Sequence, residues 1–372
     1  MESRPSEMSI TIPYANLYSE YTEIKPLVDQ AIERCIRNSS FIGGIEVQNF
    51  ENAWKDYTQS EDCAGVSSGT SALMLALLAV GVGHGDEVIV PSMSFVASAE
   101  CASQIHAVPV FVDVDQYHTL DLDQVAAKIT DKTKAIIFVD LYGQTVDIQK
   151  LKKIAGNIPI IQDAAQSAGC RYKETPVGSH ADLTCFSFYP GKNLSAMGDA
   201  GAVTGRKDLI ALIRMLRDHG RKEKYVHEIV GWNERLDAMQ AAILSVKINF
   251  LDTWNNRRQQ NAEVYHNMLS ICNQIELPKI NSAVSTHVYN QFVITTNKRD
   301  ELKQFLLAQG IETGIQFPLA LHQQPVYLAL AGQQSFPLSE RLSAVCLSLP
   351  VHAHIDTEQA TTVATAVLDF FN

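Results

Sequence analysis

The chain has 372 residues, 46% hydrophobic and 19% charged, with 41 acidic against 30 basic side chains and a formal net charge of −11. That composition is globular and long enough for one large domain and a smaller one. No long basic run favours nucleic acid as a partner, and no apolar stretch is long enough to span a bilayer. Seven cysteines at irregular spacing, with no C-x-x-C pair, argue against a disulfide framework and a zinc site. They read as small buried hydrophobes of a reducing, cytoplasmic compartment, and no metal ligand set is expected.

Residues 1–10 lack an apolar signal core and read as a short disordered leader. Residues 22–38 carry Ile24, Val28, Ile32 and Ile36 at helical spacing, and a second helix follows the turn at Phe41–Gly44, over 45–57. From 63 to about 205, apolar β-branched runs (87–90, 108–112, 135–139, 158–161) alternate with helical stretches (70–80, 94–104, 121–129, 147–155). Such alternation predicts an α/β fold, with a mostly parallel central sheet sandwiched by helices. Two short strands, 183–188 and 200–204, flank a loop containing Lys192. Helices are predicted over 208–218 and, as one long element, 234–270. Beyond about 275 the pattern becomes a small α+β unit. Its strands are expected at 289–296 and 312–317 and its helices at 299–309, 340–345 and 357–370. The division expected is a large domain over 11–250 and a small C-terminal domain over 251–372.

Four segments carry chemistry. Gly65–Ser71 is a small-residue turn opening the apolar helix that follows. The first N–H groups of a helix lack intrahelical acceptors and favour an anion. Ser68, Gly69 and Thr70 therefore suit a phosphate, although a simple N-cap uses the same residues. The turn is neither G-x-x-x-x-G-K-[ST] nor G-x-G-x-x-G, so nucleoside triphosphatase and dinucleotide readings lack their usual loop.

The run 158–161 then ends in Asp163 and Gln166, where ligands bind beyond the carboxyl ends of strands. A carboxylate there can pair with a protonated ring nitrogen or cap the next helix. Lys192 sits among aromatic residues and glycines in S-F-Y-P-G-K-N-L. Desolvation disfavours an ammonium, and a neutral amine can attack a carbonyl. Ser187 precedes it on a strand and can add a phosphate hydroxyl. Phe95, just after another strand, can stack on a flat ring or serve the core. A phosphate cradle, an acid for a ring nitrogen, a Schiff-base lysine and a stacking aromatic match the needs of pyridoxal 5'-phosphate.

The runs S-S-G-T-S-A-L, D-E-V-I-V-P-S, D-A-A-Q-S, S-F-Y-P-G-K-N-L, G-D-A-G-A-V and N-E-R-L-D-A-M-Q-A-A-I-L resemble the DegT/DnrJ/EryC1/StrS aminotransferases, of the fold-type-I pyridoxal phosphate class. The resemblance runs from about residue 10 to the C-terminus. It implies that Lys192 is the Schiff-base lysine and that Asp163 pairs with the ring nitrogen, with Gln166 near the ring hydroxyl. It places Phe95 over the ring, and Gly69, Thr70 and Ser187 at the phosphate. It brings Asn233 to the phosphate from a partner subunit, hence a homodimer with shared active sites.

The resemblance further implies transfer of an amino group from L-glutamate to a nucleotide-linked 3- or 4-keto hexose. The product would be an amino sugar for O-antigen, surface polysaccharide or a glycoside. Two departures stand out: Asp140 and Gln316 occupy positions where family members often have histidine. They mark, with Tyr142 and His322, candidate substrate contacts. Arg221 is a further candidate for the diphosphate, or simply a solvated surface charge. A cyclitol- or aminohydroxybenzoate-forming relative, and a regulator that binds nucleotide sugar without turnover, remain alternatives. The family's dehydratases replace the lysine by histidine, which Lys192 disfavours.

Overall fold

A computed structural model describes residues 11–372; the leader expected at 1–10 lies outside the described residues. Two helices, α1 (Leu17–Arg37) and α2 (Gly44–Thr58), come first. The alternating region then runs β1 (Asp62–Val66), α3 (Gly69–Ala79), β2 (Glu87–Pro91), α4 (Ala97–Gln104), β3 (Val108–Val112), α5 (Leu122–Lys128) and β4 (Thr133–Val139). After a single turn at Leu141–Gly143 follow α6 (Ile148–Ala155) and β5 (Ile160–Asp163). A small hairpin, β6 (Arg171–Tyr172) and β7 (Thr175–Pro176), precedes β8 (Leu183–Ser187), β9 (Gly201–Gly205) and α7 (Lys207–Leu216). A second hairpin, β10 (Arg221–Glu223) and β11 (Val226–His227), leads to α8 (Ala238–Lys247) and α9 (Leu251–Leu269). The C-terminal part holds β12 (Phe292–Thr295), α10 (Arg299–Ala308), α11 (Leu328–Ala331), α12 (Pro337–Val345), β13 (Cys346–Leu349) and α13 (Thr357–Phe371).

Seven strands form one sheet in the order β1-β9-β8-β5-β4-β2-β3. The pairs from β3 to β8 are parallel, and β9 runs against both of its neighbours, so β1 points the same way as β8. The carboxyl ends of β1, β2, β4, β5 and β8 therefore share one edge. Side chains alternate across a strand. Ile137 and Val139 enter the core beneath α3 and α4, while Ile136 and Phe138 enter the opposite core with Phe50 and Leu151. Both faces are thus covered, as buried parallel strands require. Each fully buried side chain of this kind contributes about 1.5–3 kcal/mol. α3 is apolar all round and buried from Ser71 to Leu77, which fixes its N-terminus rigidly against the sheet.

A third core joins Tyr265, Phe292, Leu302, Leu347 and Val363 from the C-terminal part with Ile12 from the beginning of the chain. β12 and β13 pair antiparallel within it. Two expectations need correction. The helix expected over 234–270 starts at Ala238 and is broken by a 3-10 turn at Ile248–Phe250. No strand forms over 312–317. Phe317 takes a left-handed φ of 60°, and Gly314 makes one isolated bridge to Ser348. That departure from extended backbone turns Gln316 and Phe317 into a cavity wall. Among the described residues no helix is long and apolar enough to cross a membrane, and no cluster of His, Cys, Asp or Glu is arranged to hold a metal ion.

Candidate active site

A cavity of about 730 Å³ opens at the carboxyl edge of the sheet. Its floor and rim collect residues that follow different strands: Ser68–Thr70 after β1, Phe95 after β2, Asp163 and Gln166 at and after β5, and Ser187 and Lys192 at and after β8. Sheet order explains the gathering, because β1, β9, β8 and β5 are successive neighbours.

The turn before α3 is held from three sides. Ser68 caps the helix, its hydroxyl accepting from the Ser71 N–H at 3.1 Å. The Ser67 and Ser71 hydroxyls both donate to Glu234 Oε2. A Cβ on Gly69 would lie 2.7 Å from Ser187 Cβ, and one on Gly201 would lie 2.4 Å from the Ser68 carbonyl oxygen. The missing side chains let the turn lie directly on β8 and β9. The helix N-terminus, with the hydroxyls of Ser68, Thr70 and Ser187 beside it on the cavity wall, forms an anion cradle.

Asp163 is 5% exposed and ends β5. Its Oδ2 accepts from Ser98 Oγ at 3.0 Å and its Oδ1 from the Ala165 N–H at 3.2 Å. Burial pushes its carboxyl above the usual carboxylate range, against the pull of those two donors and of Lys192. A cationic N–H placed against it would restore the anion. Gln166 is steered by its own oxygen, which accepts the Tyr142 N–H at 2.6 Å.

Lys192 closes a tight turn, its N–H donating to the Tyr189 carbonyl at 3.0 Å, with Gly191 at φ +99°. Its neighbour Asn193 is locked in place. Asn193 Nδ2 donates to Asn255 Oδ1 (2.6 Å) and to the Val288 carbonyl (2.9 Å), and its Oδ1 accepts from Asn290 Nδ2 (2.9 Å). Burial pulls the Lys192 amine below the ordinary lysine range, and the Asp163 charge pulls the other way. Phe95 stands over the cavity 57% exposed, its ring centroid 6.3 Å from that of Phe317.

Several sequence candidates do not line the cavity. Asp140 is fully buried behind it, accepting from Gln162 Nε2 (2.7 Å) and Ser167 Oγ (2.6 Å), with its Oδ1 left without a partner. Burial pushes its carboxyl up to about 7. The 3-10 turn after β4 causes this inward placement, with Tyr142 at φ 65°. Tyr142 is itself 3% exposed and packs in the core. His322 is buried between Ser92 Oγ (2.6 Å) and Glu340 (3.2 Å). Arg221 lies on the exposed β10 hairpin and pairs with Asp218 at 2.6 Å. Asp140, Tyr142, His322 and Arg221 thus do not line the cavity of their own chain, whereas Gln316 does. Asn233 is exposed and outside the cavity of its own chain.

The structure adds residues the sequence reading passed over. Tyr14 and Glu20 come from the start of the chain, Arg258 from α9, Asn290 and Gln291 from the segment before β12, and His352 from beyond β13. Tyr14 Oη bonds Gln291 Oε1 and accepts from Gln316 Nε2 at 3.3 Å. The signal that bears on Tyr14 is Gly314, where a Cβ would meet the tyrosine ring at 2.6 Å.

The anion cradle, the buried acid and the desolvated amine meet the three requirements of pyridoxal phosphate, and the cavity has room for it; the residues fit the cofactor. Fold and site are those of a pyridoxal-phosphate-dependent transferase. The chain belongs to the DegT/DnrJ/EryC1/StrS aminotransferase family, whose model matches residues 22–368. It is 39% identical over 364 residues to a dTDP-3-amino-3,4,6-trideoxy-alpha-D-glucose transaminase of Streptomyces venezuelae, covering 96% of each chain. The crystal structure of S. venezuelae DesV with a ketimine intermediate superposes with a TM-score of 0.94 at 39% identity, over 96% of this chain and 98% of that one. NtdA from Bacillus subtilis, solved with bound PMP, gives a TM-score of 0.90 at 27% identity, over 98% of this chain and 86% of that one.

Proposed function

We propose that this protein transfers an amino group from L-glutamate to a nucleotide-linked keto sugar, a 3- or 4-keto hexose, in amino-sugar biosynthesis. One observation carries the reading: Lys192 and the buried Asp163 line one cavity with a helix-terminal anion cradle. Bound pyridoxal phosphate supplies an electron sink for the carbanion-like charge that develops when a proton leaves the donor's α-carbon.

The protein's own residues do the rest. Ser68, Gly69, Thr70 and Ser187 hold the phosphate, and Asn233 of a second copy completes the cradle in a homodimer. Asp163 keeps the ring nitrogen protonated through a charge-assisted hydrogen bond. Phe95 covers one ring face, and Gln166 orients the ring edge. With the cofactor bound, the Lys192 amine would be the base that takes the proton from the donor's α-carbon, since a neutral amine is competent for that role. In the sugar half-reaction the same amine would act as the acid that delivers a proton to the substrate carbon. Gln316 contacts the sugar. Residues 251–372 form the smaller domain that supplies this wall, and the reaction belongs to the cytoplasm.

The test is spectroscopic. Adding L-glutamate to the cofactor-loaded protein shifts its near-visible absorption band, and adding one member of a panel of dTDP-, UDP- and GDP-linked keto sugars restores it. A band that no amino donor shifts would leave a binding protein without turnover. A band that glutamate shifts and only a non-nucleotide keto substrate restores would move the protein to the cyclitol-type branch.

A further inference from the structure

Arg258 is 7% exposed and reaches the cavity from α9. Among the described residues no carboxylate lies within ion-pair distance of it. Its one hydrogen bond runs from Nη1 to the Tyr289 carbonyl at 3.2 Å, and its Nε has no partner. The acid on the same wall, Glu20, is already held by Lys247 Nζ at 2.6 Å and Ser195 Oγ at 2.9 Å. Burial pulls the Arg258 guanidinium down to about 10, so it remains a cation at neutral pH. The Glu20 charge reaches it only from beyond ion-pair distance, and a buried cation with no ion-pair partner is costly.

We infer that Arg258 is the receptor for a carboxylate of the amino-acid donor. The inference rests on the aminotransferase reading and deepens it. The Nε edge of the guanidinium, buried and unpaired while Nη1 is tied to the backbone, offers the side-on fork that matches a carboxylate. Position favours the donor over the sugar's diphosphate. Tyr289, which Arg258 holds, is followed by Asn290, whose Nδ2 donates to the Gly191 carbonyl (3.4 Å) and to Asn193 Oδ1 (2.9 Å). Those two residues flank Lys192. An anion at Arg258 therefore sits close to the reacting amine. A donor's α-carboxylate is bonded to the carbon that reacts there, whereas a diphosphate is separated from the keto carbon by atoms of the hexose ring.

The two half-reactions separate the roles. In Arg258→Gln holoenzyme, rapid mixing with L-glutamate should show kcat/KM for the donor half-reaction reduced about a hundredfold, the scale of a lost charge-assisted pair. Amination of the keto sugar by the amine-loaded variant should change less than about threefold. Succinate, a carboxylate without an amine, should bind the wild-type holoenzyme in calorimetry and lose that binding in Arg258→Gln.

Equal losses in both half-reactions would overturn the proposal, as would a loss confined to the sugar half-reaction. Succinate binding unchanged by the substitution would overturn it too. If Arg258→Gln does not fold, Arg258→Lys should still weaken succinate binding about tenfold, because the fork is lost while the charge stays; unchanged binding there refutes it. A wild type that reacts with no amino donor refutes the aminotransferase reading, while the succinate titration still decides the role of Arg258.

Discussion

The backbone N–H of Asp140 donates to the carbonyl oxygen of Asp163 at 3.0 Å, tying together two acids that follow adjacent strands. Their side chains have different fates: that of Asp163 faces the cavity, and that of Asp140 is sealed beneath it with an unpaired oxygen. Asp140 should therefore hold its proton up to about pH 7 in the folded protein, well above an ordinary aspartate. Its contribution to stability is then full below the unfolded value of about 4 and is lost as pH rises toward 7, because the folded state binds the extra proton. Asp140→Asn should remove that slope. Thermal melts of both forms between pH 4 and pH 8 check it, and parallel curves would refute it.

Lys192→Ala should abolish turnover and the near-visible cofactor band while leaving the far-ultraviolet dichroism unchanged. The lysine is a loop residue whose turn is secured by its neighbour Asn193. Residual activity at the wild-type level would contradict its assigned role.

Gly201→Ala should loosen the cofactor. The new methyl would sit 2.4 Å from the Ser68 carbonyl oxygen, a rigid backbone atom at the phosphate turn. Overpacking of this kind costs about 1–3 kcal/mol. A fluorescence titration with pyridoxal phosphate should show weaker binding, and unchanged affinity would mean that β9 yields instead.

Gln316→Ala should raise KM for the keto sugar and leave the glutamate half-reaction nearly intact. Gln316 lies on the wall made by the C-terminal part and donates to Tyr14 Oη at 3.3 Å. Steady-state kinetics with either substrate varied in turn will separate the two effects.

Much of the site was legible because of one regularity. Ser68, Phe95, Asp163 and Lys192 each come just after an apolar run or at its end, and in a parallel sheet those ends converge. Asp140, a candidate because family members often have histidine there, also follows a strand but is turned inward at a 3-10 turn that its sequence does not announce. Arg258 was illegible for another reason. In α9 it sits in a run of polar residues, N-N-R-R-Q-Q, that reads as a solvated helix face; only packing against the start of the chain and the segment before β12 buries it. Tyr14 and Gln291 lie far apart in sequence and meet only in the folded wall. The strand expected over 312–317 is reduced to one isolated bridge, Gly314 to Ser348, and its last residue, Phe317, is left-handed.

Residues at the start of the described chain run from a bridge at Ile12–Ile311, through Tyr14 on the cavity wall, into α1, which contributes Glu20. That stretch behaves as a strap between the C-terminal part and the catalytic floor. Removing residues 11–20 would strip Tyr14 and Glu20 from the chamber wall, whereas α13 contributes no lining residue. A truncation beginning beyond Tyr14 should therefore change substrate kinetics even if the sheet still folds.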